Sequence, residues 1–416
     1  MRRTQRWMAA TALLAAGVTV MAGCSSGGSG GSSSGSGSAA GTTSSGSISI
    51  MALGVFSSPT FVVPQVRDAV LLAAKEVNAS GGIKGKKLKV IVCNDQNDAN
   101  VAAQCARQAV TDHVAAVVAQ TSLVDAAVVP ILQAANIPDI GPLAFSPGDT
   151  KSTTTVAFGI GTIGTPDGVA DAVYLQKEGC TNIGVIYTSP GGDSEVAAPA
   201  STIKSLGHGV KYAGAFPVNQ QTTNWTPAVQ KAISAGGANV CLVVLAASTQ
   251  MVQVFQGLSA STQPHLRVAA YENELPLTIL SQLGGKADGA IITSGFYPTN
   301  STQAAGLAKA FTAAYPKDTF DEQVENAWVS VHVFEQVAKG LPDVTSSAVL
   351  AALSKDTNVT DPLLPTALNF TKPNSDPAFA RIFNTSIVAL KVKGNSASLV
   401  DSGQPINVSK YLSAAG

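Results

Sequence analysis

The stretch VLLAAKEVNASGGIKGKKLKVIV, residues 70–92, decides the fold. Joined to the residues just before it, its first half is apolar at helical spacing. Val66, Val70, Ala73, Ala74 and Val77 fall on one face of a helix over 63–78. Gly81-Gly82 stops that helix, because paired glycines leave the backbone free to turn. Residues 87–92 then read as a strand. Outward from this core the same alternation continues. SISIMALGV at 47–55 is a strand, 100–111 a helix, and 114–119 a fully apolar strand of the kind buried in parallel sheets. A further helix is expected over 122–135, ending before Pro138. Strands alternating with helices of this length form βαβ units with right-handed crossovers.

The pattern then restarts. Strands are expected at 182–187, 210–216, 239–245, 267–270 and 289–293, with helices at 194–206, 225–234 and 249–258. Ile48 matches Ile183 and Val114 matches Asn239. The fold class is therefore α/β, with two Rossmann-like lobes built on parallel sheets. Open sheets of this kind bind ligands at the carboxyl ends of their strands, and two of them side by side enclose a cleft.

The Asn78…Gly81-Gly82-Ile83…Gly85 motif, between a helix and a second strand, resembles the start of type I periplasmic binding proteins, especially the branched-chain amino-acid (Leu/Ile/Val-binding) group. The likeness runs from Ser47 to about Ser409. It implies a solute receptor for an ABC importer, with two lobes joined by a three-crossover hinge. Lobe I would be 47–162 and 300–360, and lobe II 163–299 and 361–416. It also implies site residues. Thr121 and Ser122, in the turn Gln120-Thr121-Ser122, line up with the serine that binds a ligand carboxylate; free backbone amides at a helix start suit an anion. An ordinary helix cap is the alternative for Ser122. The loop carrying Leu143, Ala144, Phe145 and Ser146 matches the second contact loop, but Phe145 stands where that group has a threonine. Glu272, beside Tyr271, lines up with the carboxylate that pairs with a ligand ammonium. A carboxylate facing a closing cleft is costly to desolvate unless a cation or donors meet it. A solvated loop acid is the alternative, since Glu274 lies two residues on. The tyrosines that usually cover the ligand from lobe II are replaced by Gly191, Gly192, Asp193 and by Ala247-Ser248. Phe56, Tyr271 and Trp328 are candidate aromatic walls or core.

The amino-terminal segment reads as an address. Arg2, Arg3 and Arg6 precede an uncharged run from Trp7 to Ala22, shorter than the roughly 20 residues of a bilayer span. Residues 1–23 are expected to be a signal peptide. Val20-Met21-Ala22-Gly23 before Cys24 resembles the lipobox of bacterial lipoproteins, which implies acylation of Cys24. Of the 23 residues 25–47, 19 are Ser or Gly, so 24–46 is a lipidated Cys with a flexible tether of about 25–30 Å reach. The chain is then expected to be extracytoplasmic and lipid-anchored to the bacterial cell membrane. Gly31-Ser32-Ser33-Ser34-Gly35 fits a nucleophile-elbow pattern but lacks the strand and helix such an elbow needs.

Composition agrees with this class. The 416 residues carry 26 Lys+Arg and 26 Asp+Glu, a net charge of zero, which leaves no basic surface for nucleic acid. Hydrophobic residues at 45% exclude a disordered chain. The four His (His113, His208, His265, His332) are scattered, with no metal spacing and no P-loop. Asp95, Asn97 and Asp98 lack the rest of a calcium loop and read as a solvated turn. With Cys24 assigned to lipid, four cysteines remain outside the cytoplasm, where disulfides persist. Cys93 with Cys105 and Cys180 with Cys241 are the pairings that neighbouring elements would allow; four buried thiols are the alternative. No enzyme, cofactor or metal is expected. The function expected is a binding protein that closes by a hinge on an amino acid or amide-like solute and serves an ABC importer permease. The alternatives are a sensing subunit for a membrane signalling partner and an exported α/β hydrolase.

Overall fold

The computed structural model describes residues 46–59, 61–143, 147–162, 164–190, 192–237, 239–259 and 267–412. Residues 70–92 form the expected unit. The helix Pro64–Ala79 starts on a proline and buries Val66, Val70, Ala73, Ala74 and Val77. Gly82 ends the turn at φ +72°, and a Cβ there would lie 2.2 Å from the Lys86 carbonyl oxygen. Asn78 explains its place in the motif. Its side-chain amide donates to Leu88 O (2.8 Å) and its Oδ1 accepts from Leu88 N (2.7 Å), so it tethers the helix end to the next strand.

The first sheet comprises β1 (Ser47–Gly54), β2 (Lys87–Asn94), β3 (Ala116–Thr121), β4 (Asp139–Ile140) and β5 (Ala157–Phe158). Its order is β2-β1-β3-β4-β5, parallel throughout. The second sheet comprises β6 (Asn182–Ser189), β7 (Lys211–Asn219), β8 (Val240–Leu245), β9 (Val268–Tyr271) and β10 (Ile291–Ser294), all parallel. β11 (Ser386–Lys393) and β12 (Ser396–Leu399) extend it antiparallel, and β13 (Ile406–Asn407) pairs with β11. The central strands β3, β8, β9 and β10 are buried along their whole length. The α/β class with two lobes is as read from the sequence; the antiparallel edge was not.

Two local expectations change. The helix expected over 122–135 is a short 3-10 turn, Asp125–Ala127, followed by the helix Val129–Ala134. Pro130, near its start, cannot continue a helix arriving from Ser122, because it lacks an amide and its ring collides with the preceding turn. Asp95 is not solvated. It is fully buried and accepts from Asn97 N (2.8 Å), while Asp98 caps the helix Ala99–Thr111.

The chain passes between the sheets after β5, after β10 and before β11. These passages meet. Gly159 pairs with Ile382, and Asn384 Nδ2 donates to Gly295 O (2.8 Å). Gly295 N donates to Glu322 Oε1 (3.1 Å) at the start of the helix Glu322–Gly340. The Thr162 hydroxyl lies 2.9 Å from the same Glu322 oxygen and 3.0 Å from Asp167 Oδ1, in the helix Thr165–Lys177. One hydroxyl proton cannot serve two carboxylate oxygens, so a carboxyl proton must complete the set. Arg381, on the third passage, donates Nε to Ala157 O (2.7 Å) and stacks over Phe158 and Phe383.

Burial pushes the carboxyls of Asp167, Asp171, Glu322 and Glu325 well above the usual carboxylate range, and neighbouring acids add to it. A group with a raised folded-state pKa binds its proton more tightly folded than unfolded. Its stabilising contribution is full below the ordinary values of 3.8 and 4.5, and is lost as pH rises toward the raised values. The ligand-free protein should therefore melt at higher temperature at pH 5 than at pH 8, which calorimetry measures; a higher melting temperature at pH 8 would contradict the assignment.

Both expected disulfides form. Cys93–Cys105 closes 12 residues and Cys180–Cys241 closes 61, with Cα separations of 5.7 and 6.1 Å. Chain entropy scales with the closed loop, at about 3 kcal/mol for the short one and about 4 kcal/mol for the long one. Replacing Cys180 and Cys241 by Ser should therefore lower the unfolding free energy more than replacing Cys93 and Cys105, as read from urea titrations of the two double variants.

Candidate functional site

A cavity of about 470 Å³ opens at the carboxyl ends of strands from both sheets. From the second sheet, Thr188 lies one residue before the end of β6, Leu245 ends β8 with Ala246–Ser248 after it, and Tyr271 ends β9 with Asn273 and Glu274 after it. The first sheet's side supplies Phe61–Val63 after β1, Leu123 after β3, and Asp321 with Gln323 at the start of the helix Glu322–Gly340. Parallel strands release their chain at the same end, so loops distant in sequence converge there. Val62 is 43% exposed, one of three large aliphatic side chains so exposed among the described residues, and it faces this cavity.

Polar side chains in the wall are held in place. Asp321 Oδ1 accepts from Gln323 N (3.1 Å) and Val324 N (3.2 Å), capping its helix, and Oδ2 accepts from Gln65 Nε2 (3.1 Å). Burial still pushes the Asp321 carboxyl up to about 7 against those hydrogen bonds. Gln250 joins three loops. Its Oε1 accepts from the Thr188 hydroxyl (2.9 Å) and Ala247 N (3.1 Å), and its Nε2 donates to Gln220 O (3.2 Å). The Tyr271 hydroxyl lies 3.5 Å from Glu195 Oε2, and burial raises the Glu195 carboxyl to about 7. Glu274 is 4% exposed, and its Oε2 has no hydrogen-bond partner; nor has Asn273 Oδ1. Three acids line the cavity (Glu195, Glu274 and Asp321), and no Lys, Arg or His does among the described residues.

The residues expected at the site are placed unevenly. Tyr271 is in the wall. Glu272 is not. It is fully buried, and its Oε1 accepts from Thr299 N (3.3 Å). Its backbone still follows the strand, donating to Thr293 O (2.9 Å), so its side chain points opposite to that of Tyr271. The chain then turns, with Glu274 N donating to Tyr271 O (2.9 Å), and it is Asn273 and Glu274 that reach the cavity. Alternation along a strand was the available signal: Tyr271 and Glu272 cannot both face one side. Thr121 and Ser122 at the end of β3, and Leu143 after β4, whose amide donates to Gln120 O (2.8 Å), are buried and do not line the cavity. The Ser122 amide, expected to be free for an anion, donates to Gln120 Oε1 (2.9 Å), and the Ser122 hydroxyl accepts from Val124 N. Ala144, Phe145, Ser146 and Cys24 lie outside the described residues. Phe56 and Trp328 are core, while Phe61 supplies the aromatic wall on that side.

The arrangement suits enclosure of a small solute. The wall is drawn from both lobes, with the three chain passages behind it. No group of acids, His or Cys among the described residues is placed to hold a metal ion, and no described helix is long and apolar enough to cross a membrane.

Comparison with curated proteins returned no match. Solved structures share the fold. A fatty acid ABC transporter substrate-binding protein from Thermomonospora curvata superposes with a TM-score of 0.69 at 18% identity, covering 88% of this chain and 94% of that one. A possible leucine/isoleucine/valine-binding protein from Rhodopirellula baltica gives 0.69 at 14% identity over 87% and 98%. The branched-chain amino acid transporter substrate-binding protein of Streptococcus pneumoniae, solved with isoleucine, gives 0.64 at 20% identity over 85% and 99%. A family model described as periplasmic binding protein matches residues 47–384. With the first sheet, the parallel strands of the second, the crossings and the cavity-lining residues inside that match, the chain belongs to the periplasmic binding protein family.

Proposed function

We propose that this protein is an extracytoplasmic solute-binding lipoprotein of an ABC importer. It takes a small solute, of the amino-acid or amide-like class, into the interlobe cavity and closes on it by a hinge. It then presents the unaltered solute to an importer permease. Lobe I is assigned to 47–162 and 300–360, and lobe II to 163–299 and 361–416. The observation that carries this reading is the cavity of about 470 Å³, walled by loops at the carboxyl ends of both sheets. Binding to such a wall needs no bond-making step, and we assign the protein no catalytic role. Acylation at Cys24 holds it to the membrane outer face, and the Gly/Ser segment that follows lets the folded part reach its permease.

A solute that binds only the folded state raises its melting temperature by mass action. Thermal-shift screening of amino acids, amides and sugars should give a saturable shift, and mass spectrometry of the complex should return the solute with unchanged mass. A solute returned chemically altered would favour a hydrolase instead. Cys24→Ala should move the protein from the membrane fraction to the soluble extracytoplasmic fraction, and retention in the membrane fraction would remove the lipid assignment.

A further inference from the structure

The charge and unpartnered acceptors of the cavity say more about the solute than its shape does. This step rests on the solute-binding reading above and replaces only its amino-acid or amide-like solute class. Glu274 is 4% exposed, yet its Oε2 has no hydrogen-bond partner. Beside it, the buried Asn273 Oδ1 is also unpaired. Both atoms are acceptors, and both residues line the cavity. A buried acceptor without a donor costs about 1–3 kcal/mol, so a ligand that supplies donors recovers it. Glu195 and Asp321 add acid to the wall, with no basic side chain among the described lining residues. Apolar or aromatic lining comes from Phe61, Leu123, Leu245, Tyr271, Pro276 and Ile279, beside neutral polar groups such as Gln220, Gln250 and Gln323.

We propose that the cavity selects a protonated primary amine with an apolar body, its ammonium donating to Glu274 Oε2 and Asn273 Oδ1 beside Tyr271. A quaternary ammonium has no proton to donate and leaves both acceptors unpaired. A neutral solute brings no charge to draw the proton from the Glu274 carboxyl. A zwitterion brings a carboxylate into a wall that already holds three acids. An aromatic face beside the ammonium adds cation–π attraction.

Proton balance gives a signature. The groups facing Glu274 are Glu195 after β6, Asp171 on the helix Thr165–Lys177, Tyr271 on β9 and the Ala246 backbone after β8. Burial, then Glu195 and Asp171, raise the Glu274 carboxyl well above its usual range, so the free site holds a proton there. An arriving ammonium favours the carboxylate, and the carboxyl proton leaves to solvent.

The test is calorimetric titration of the full chain in detergent with n-alkylamines of three to six carbons and 3-methylbutylamine. Leucine and norleucine serve as zwitterionic counterparts, and the matching alkyl amides as neutral ones. The expected result is that at least one amine binds tenfold or more tightly than its zwitterionic and neutral counterparts. Its heat should vary with the ionisation enthalpy of the buffer, reporting release of a proton. Glu274→Gln, checked for a cooperative melt, should weaken that amine at least tenfold. The buffer dependence is measured on the unaltered protein and so holds even if the variant does not fold. Should an amino acid or amide bind as tightly as its amine, without proton release, the amine assignment falls and the solute-binding reading stands. If no compound of the three classes binds, both fall.

Discussion

The architecture turns on one shared hydroxyl. Thr162 Oγ1 sits between Asp167 of the second lobe and Glu322 of the first, at 3.0 and 2.9 Å. Glu322 also accepts from the Gly295 amide on the second passage, and Gly295 O accepts from Asn384 on the third. All three crossings are thus pinned to one another by a few buried polar contacts. The packing leaves no slack, since a Cβ on Gly295 would lie 2.2 Å from the Thr162 hydroxyl. Hydrogen bonds of this kind have fixed partners and geometry, unlike apolar contacts, which tolerate sliding. A joint built from them holds the register of the lobes behind the cleft.

The same region concentrates acid. Asp167, Asp171, Glu272, Glu322 and Glu325 are fully buried behind the cavity, and Glu195, Glu274 and Asp321 line it. The ion pairs among the described residues, such as Lys177–Asp401 and Lys391–Glu178, involve none of these eight. Isolated carboxylates are costly to bury ionised, so burial raises the pKa of all eight. Net neutrality of the whole chain hides this, because no basic side chain among the described residues pairs with these acids or lines the cavity. The joint and the wall share this chemistry, so the protonation of one bears on the other through their mutual repulsion.

Legibility followed burial pattern. The helix Pro64–Ala79 and the strands β1, β3 and β8 stood out because they are apolar with a clear period or wholly apolar. The helix Thr165–Lys177 did not, although it lies under the second sheet. It is buried on nearly every side, with Asp167 and Asp171 among its inward residues, so no polar face marks its period. The hairpin β11–β12 joins the second sheet from a segment more than ninety residues after β10, a pairing that local pattern does not announce. At the site, Tyr271 was found by position after a strand, whereas Asn273 and Glu274 depend on where the chain leaves the sheet. Phe61, Leu123 and Asp321 reach the wall from three separate loops.

Strand–helix alternation, the repeat of one half in the other, the glycine-terminated helix and the cysteine spacing were all set locally, and the chain alone determined them. Each depends on neighbours within about one turn or one crossover. The cavity wall, the proton-sharing joint and the unpaired acceptors depend on residues as far apart as Gln65 and Asp321, 256 positions along the chain. Only folding brings those together, because desolvation acts on a side chain according to what surrounds it in space and not on what precedes it in sequence.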